Sequence, residues 1–469
     1  MGETTGGVGG VSGSAGHLAG QGGAAAGSGG AGGSSCATAC ASYQFCASNK
    51  CLPSYDSTRV LPAIDQTSGG GRVFSAVMLT DKPQGDLVIQ LSGDLTLSDA
   101  NASFTTTITT GGQDYALGYA RYSSDGHLAW FRSRSDIKSS GRESKIALLS
   151  PTDFGLSYVQ YDPASGPVAG TYSFRAARIN GNTGNFAWVA KYPTTDNASG
   201  GSYIFLPRRT RGDCLTFFAS YSNTTPGSTV CTVTDSGTSG SVTCSGTAYA
   251  IDGVSGPDGT TAWLWGAPDL TGSVPLNPFD TTQTSLASNP YQTSGEDAFI
   301  VGVRGASTTL GPWLTEGDYG PGYLLAALPD GNLAVVAGGN GYMTFNGGQS
   351  LLSQTGNVLF KLDTSTGKIV WRKALSLPDF PYGLSAAPGG RIAVLNRPSD
   401  STSVDLYDGA TGAALSTLPL PATGFPVIIA GETDLVVTGD YAGAYDFNPG
   451  PATDQPTATR GVYISRYTF

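Results

Sequence analysis

The sequence predicts an all-β fold, and within that class a β-propeller. Three observations carry the prediction. The composition is that of strands and turns, since Gly supplies 68 of 469 residues, only 13% are charged, and Met occurs three times while Tyr occurs 22 times and Phe 18. Helices draw instead on Glu, Lys, Leu, Met and Ala. From Arg59 onward, short apolar runs alternate with Gly, Pro, Asp and Asn turns. Finally, one hairpin unit recurs along the chain with a Gly and a Trp at fixed spacing.

The recurring unit is an extended segment, a polar turn ending in Gly, and a strand with Trp four residues after that Gly. The clearest copies run from Ala120 through Gly126 to Trp130, from Ala177 through Gly184 to Trp188, and from Lys361 through Gly367 to Trp371. Gly259 and Trp263 fit the same register, Gly412 is followed by Ser416 where Trp would fall, and Val301–Arg304 leading to Trp313 is a looser copy. Gly is expected to supply positive φ at the turn and Trp a large apolar face packed between neighbouring sheets. A second, mostly apolar strand precedes the units, beginning at Asp86, Leu156, Leu215, Leu333, Ile392 and Leu435. Its character fits strands buried on both faces. Repeats of this kind, with about four strands each, define a propeller. Seven repeats are counted; Trp263-Leu-Trp265 either closes the third blade or forms the second strand of the fourth, and if those two blades are one the propeller has six.

Ahead of the propeller the chain divides in two. Residues 1–35 hold 15 Gly, 6 Ala and 5 Ser and are expected to form a disordered tether. Residues 36–57 carry Cys36, Cys40, Cys46 and Cys51, expected to form two disulfides, Cys36–Cys46 with Cys40–Cys51 preferred among three pairings. The propeller takes 58–469. In it Cys231 and Cys244 flank a Ser, Thr and Gly-rich turn and are expected to bridge, leaving Cys214 as a free, buried thiol. Disulfides imply export, although no signal peptide follows Met1 and no apolar run reaches membrane-spanning length. The segment 59–64, with no partner of its own, is expected to add to the last repeat as its missing outermost strand, closing the ring.

The unit Lys361-Leu-Asp-Thr-Ser-Thr-Gly-Lys-Ile-Val-Trp371 resembles the repeat of the pyrroloquinoline-quinone-type (PQQ-like) propellers. The segment 442–451, followed by 460–467, is similar to a short repeat of bacterial exported propellers, and 295–301 resembles its strand half. The Gly-rich tether and four-Cys segment resemble the N-terminal regions of exported bacterial lipoproteins, which implies a lipid anchor on a Cys preceding this sequence. The resemblance speaks for fold more than for function.

The chemistry weighed against these features is mostly negative. A net charge of −10 disfavours nucleic acid. The two histidines, His17 and His127, lie in the tether and in a turn, poorly placed for nucleophilic catalysis. Quinoprotein enzymes of the resembled family use a vicinal Cys pair, which this chain lacks. Arg211-Gly212-Asp213 reads as a chance tripeptide. Asp-rich turns such as 440–446 offer oxygen ligands for calcium but lack a recognised ligand spacing, so a structural reading is preferred; no cofactor is expected, with calcium as the alternative. The expectation is a monomeric, non-enzymatic exported or cell-surface module that binds a protein or carbohydrate partner. The alternative is a secreted hydrolase or lyase using carboxylates on the axial face.

Overall fold

The structure is a computed structural model. It describes the strands and most tight turns between residues 44 and 468; residues 1–43 and many of the longer connections, among them 63–71, 109–116, 135–144, 163–170, 192–201, 267–273, 276–284, 287–297, 397–401 and 449–453, lie outside the described residues. The expected tether, Cys36, Cys40, Gly259 and the Arg211–Asp213 tripeptide fall among those left out.

The fold is an all-β propeller. Among the described residues, its sheets of four or more strands number seven. Each is an antiparallel meander, and the first strands lie side by side in a closed cycle, the last beside the first. Sheet 1 is built from Arg72–Met78, Leu87–Ser92, Leu117–Tyr122 and Leu128–Arg134, and sheet 2 from Lys145–Leu148, Asp153–Asp162, Thr171–Asn180 and Phe186–Lys191. Sheet 3 follows with Ser202–Arg209, Cys214–Ser222, Thr225–Asp235 and Gly240–Ala248. In sheet 4 the strands are Ala250–Ser255, Thr261–Gly266, Ala298–Arg304 and Ser307–Gly317, extended outward by the hairpin Met343–Phe345 and Gln349–Leu352. Sheet 5 takes Gly322–Ala327, Leu333–Gly339, Gly356–Asp363 and Lys368–Leu375, and sheet 6 takes Gly383–Ala386, Arg391–Asn396, Thr402–Asp408 and Ala414–Leu420.

Sheet 7 joins the chain ends. Val427–Ala430, Asp434–Ala442 and Arg460–Thr468 come from the C-terminal region, and the fourth strand, Lys50–Pro62, comes from the N-terminal region. The register sets Val60 opposite Tyr463, Leu61 opposite Val462 and Pro62 opposite Gly461. This is the closure expected from the unpartnered segment 59–64, with Pro62 at the strand's end where its missing N–H does least harm. Pairing begins at Ser54, so the closing strand runs through the expected boundary between residues 57 and 58. Gln44–Ala47 adds a fifth strand outside it.

The strands that recur at Asp86, Leu156, Leu215, Leu333, Ile392 and Leu435 are all second strands, and Leu333–Gly339 is buried along its whole length. A strand packed on both faces must be apolar throughout, which is why these runs lack alternation. The core is divided among the seams between sheets. Sheets 4 and 5 share Trp263, Ile300, Trp313, Leu333, Val335 and Phe360, while sheets 7 and 1 share Leu61, Val462, Ile464, Leu87, Ile89 and Leu91.

Of the two places open to Trp263-Leu-Trp265, the structure takes the second strand of sheet 4, where Trp263 stacks on Trp313 with ring centroids 5.6 Å apart. It packs over Gly302, where an added Cβ would come 2.6 Å from Cζ3. Its spacing from Gly259 therefore imitates the unit without sharing its place; Trp313 occupies the fourth strand.

Candidate functional site

An antiparallel meander sends the first-to-second and third-to-fourth turns to one face of the ring, and the second-to-third and fourth-to-first connections to the other. The two faces differ in what their residues do.

On the first face, the Gly–Trp unit is an inter-sheet clamp. Trp130 on the fourth strand of sheet 1 donates its indole N–H to Gly181 O in the third-to-fourth turn of sheet 2, at 2.7 Å. Gly184 in that turn, at φ 71°, lies against the indole, and an added Cβ would stand 2.8 Å from Trp130 Cε3. Trp188 repeats the arrangement one sheet on, donating to Asp235 Oδ1 at 2.9 Å beneath Gly240. Trp371 donates to Gly409 O at 3.1 Å beneath Gly412, whose φ is 72°. At Gly184 and Gly412 glycine is required twice, once for the left-handed backbone and once to admit the ring, and at Gly240 it is required to admit the ring. Gly126 and Gly367 share the positive φ of these turns.

Beside each clamp lies an ion pair that the repeat pattern did not reveal. An Asp at the start of the second strand meets an Arg on the third strand that is opposite the residue two positions further on. Asp86 takes Arg121, opposite Val88, at 2.5 Å; Asp153 takes Arg178, opposite Gly155, at 2.5 Å; Asp434 takes Arg466, opposite Val436, at 2.8 Å. Lys361 reaches Asp330 at 2.6 Å, and Arg304 reaches Asp258 at 2.6 Å. The guanidinium fork lets these groups bridge sheets as well. Arg121 also donates to Gly181 O and Asn182 Oδ1, Arg178 to Asp235, and Arg466 to Gly85 O. The sequence signal was the Arg or Lys next to Ala120, Ala177 and Leu362, two or three residues ahead of each turn.

The Asp-rich turns of this face are tied to their own backbone. Asp363 Oδ1 accepts from the N–H of Ser365 and of Thr366, and Asp408 Oδ1 from Ala410, Thr411 and the Thr411 hydroxyl. The Ser365 bonds hold Asp363 below the usual carboxylate range, and the Thr411 bonds do the same for Asp408. On the opposite face, in the stretch weighed for calcium, Asp446 Oδ1 accepts the N–H of Asn448 and of Asp454. Among the described residues no three His, Cys, Asp or Glu side chains cluster to hold a metal.

The first strands form the axial wall. Their described side chains are apolar or hydroxylic, such as Ala76, Val77, Leu148, Leu324, Ser385 and Ile429. Ser75 exchanges bonds with Ile146 N and O, and Ser385 accepts from Ala430 N, so hydroxyls tie one first strand to the next.

At the opposite face the second strands end and the third begin, separated in sequence by 93–116 in sheet 1, 267–297 in sheet 4 and 443–459 in sheet 7, whereas the third-to-fourth turns span only residues such as 364–367 and 236–239; the hairpin within 340–355 lies instead on the outer edge of sheet 4. Described parts of these insertions include the hairpin of Leu95–Ser98 with Thr105–Ile108, and the turn where exposed Gly443 and Ala444 lead to buried Phe447.

The cysteines are placed by register alone. Cys231 stands directly opposite Cys244, and Cys46 opposite Cys51 across the hairpin ahead of the closing strand; Cys214 begins the second strand of sheet 3.

No protein-family model matches the chain, nor does any curated protein. Solved structures similar to it include BamB from Moraxella catarrhalis, 12% identical over 89% of this chain and 98% of that one, with a TM-score of 0.38. TolB from Acinetobacter baumannii is 13% identical over 77% of this chain and 78% of the other, at 0.33. The periplasmic gluconolactonase of Pseudomonas aeruginosa is 15% identical over 70% and 96%, at 0.34. Likeness at this level bears on neither partner nor activity.

Proposed function

We propose that the protein is a non-enzymatic, exported or cell-surface propeller that binds a protein or carbohydrate partner on the face carrying the second-to-third insertions. The asymmetry of the two faces carries this reading. On the clamp face the turns are short, and their polar groups are spent on the neighbouring sheet: Arg121, Arg178, Trp130, Trp188 and Trp371 all end there. On the other face stand the hairpin of Leu95–Ser98 with Thr105–Ile108 and the turn from exposed Gly443 to buried Phe447, which ring closure does not need. Sequence that a scaffold can dispense with, placed on one side of a rigid ring, is where recognition is usually built.

A photo-cross-linking residue at Ala444, exposed on the insertion face, and another at Thr411, exposed on the clamp face, test the assignment. In the native envelope a discrete adduct is expected from position 444 and none from 411. Adducts from 411 alone, or from neither position, would overturn it.

A further inference from the structure

We infer a second interaction surface on the outer rim: the free edge of Lys368–Leu375, the fourth strand of sheet 5, is built to receive an extended acidic segment of a partner protein as an added strand. Lys368–Leu375 pairs inward with Gly356–Asp363 and ends its sheet. In two other sheets the same edge already carries a further antiparallel strand. Ser307–Gly317 is extended by Met343–Phe345, and Lys50–Pro62 by Gln44–Ala47. Fourth-strand edges in this ring therefore have the geometry for strand addition, whose main-chain bonds give affinity while flanking side chains give selectivity.

Charge identifies the occupant. Lys368, Arg372 and Lys373 are all exposed, and no ion pair engages them among the described residues, whereas Arg121, Arg178, Lys361 and Arg466 are each paired. Three free cations on one strand run against a chain of net charge −10. Val370 beside them is 52% exposed, the most exposed large apolar side chain described. Other fourth strands lack this combination. Ala414–Leu420 carries Pro419 and no charge, and Arg132 of Leu128–Arg134 is engaged with Thr183 O. Lysines on edges commonly serve to repel other strands. Here that repulsion acts only against basic or neutral strands and becomes attraction for acidic ones.

The geometry narrows the partner further. A bulge at Val370 interrupts the ladder, since Lys361 faces Trp371 while Leu362 faces Ile369. The regular stretch is thus 371–375. Within it Arg372 and Lys373 are neighbours and point to opposite faces of the sheet, because side chains alternate along a strand. The matching segment carries two consecutive carboxylates flanked by β-formers.

The probe is a labelled peptide, Thr-Val-Glu-Glu-Val-Thr with blocked ends, read by fluorescence anisotropy on the full chain. Binding is expected, weakened at least tenfold by Arg372→Glu with Lys373→Glu and equally by N-methylation of alternate peptide amides, which keeps the charge but removes strand pairing. The neutral pair Arg372→Gln with Lys373→Gln, checked for an unchanged melting temperature, guards against misfolding and is expected to fall between. Absence of binding to the wild type, or equal binding of the N-methylated peptide, overturns the inference. So does binding of anionic phosphatidylglycerol vesicles through the same cations in place of the peptide.

Discussion

The seam between sheets 1 and 2 and the seams around sheet 7 do the same work by different means. At the first, a side chain does it: Trp130 crosses to sheet 2, bonds Gly181 O and packs against Gly184. At sheet 7 the third strand and the fourth are the two ends of the described chain, so no third-to-fourth turn exists for a Trp to meet. The sheet that faces it carries Ser416 at the Trp place, opposite Leu406, and sheet 7 itself sets Ser57 opposite Arg466. What replaces the clamp is main-chain pairing from Ser54 to Pro62 together with burial of Leu61 and of Tyr55 against Tyr467. The comparison teaches that the Trp is bound to the turn of the next sheet rather than to its own strand. Its absence from Ala414–Leu420 accords with where the chain is opened, whereas Gly240–Ala248 also carries no Trp although sheet 4 has a third-to-fourth turn.

The largest expected effect breaks the closure. Deleting residues 1–62 removes the fourth strand of sheet 7, its ladder and the buried Leu61, at a cost of several kcal/mol on the order of a few ladder bonds plus apolar burial. The melting temperature is expected to fall by about 5–10 °C. Deleting only 1–43 is expected to leave it unchanged. Equal melting of the two truncations would show that main-chain pairing contributes little to the ring.

Of middle size is the effect of moving the clamp. Trp130→Ala leaves a cavity against Phe154, with which it stacks at 6.3 Å, and is expected to cost about 3–5 kcal/mol by chemical denaturation. Ser416→Trp restores the repeat's consensus, yet should add no stability, because sheet 7 offers no turn to receive the indole. A gain of 1 kcal/mol or more from Ser416→Trp would mean that the Trp acts through its own sheet, and the comparison would fail.

Much of the fold was legible because it repeats. The Gly–Trp spacing and the apolar second strands encode packing that recurs between sheets, so the pattern survives in several copies. Legibility failed where one spacing served two structures. Trp263 follows its Gly at the same interval, yet sits on a second strand and stacks on Trp313. The ion pairs were hidden because their partners are separated by the whole second strand and insertion: Asp86 and Arg121 are 35 residues apart, and Asp434 and Arg466 are 32. Only register brings them together. The candidate binding face was legible merely as irregular lengths between repeats, since insertions answer to a partner and not to the ring.

The smallest expected effect separates the two regions by the sign of their response to acid. Near the closing strand, burial raises the pKa of Asp454, which accepts the Tyr55 hydroxyl. A carboxyl with a raised folded pKa binds its proton more tightly in the folded state. Its charged form therefore costs stability at neutral pH, and the cost is relieved as pH falls through the folded value. On the clamp face Asp363 and Asp408 are held low by Ser365 and Thr411. Their contribution is present above the unfolded value of about 3.9 and is lost as pH falls through the folded one. Asp454→Asn is accordingly expected to melt about 1 °C above the wild type at pH 7, with the gap closing toward pH 4. Asp408→Asn should melt below the wild type at pH 7, and that gap should close only below pH 4. Gaps of the same sign in the two variants would show that the closing strand and the clamp turns carry their carboxylates in equivalent surroundings, contrary to the difference in burial on which the comparison rests.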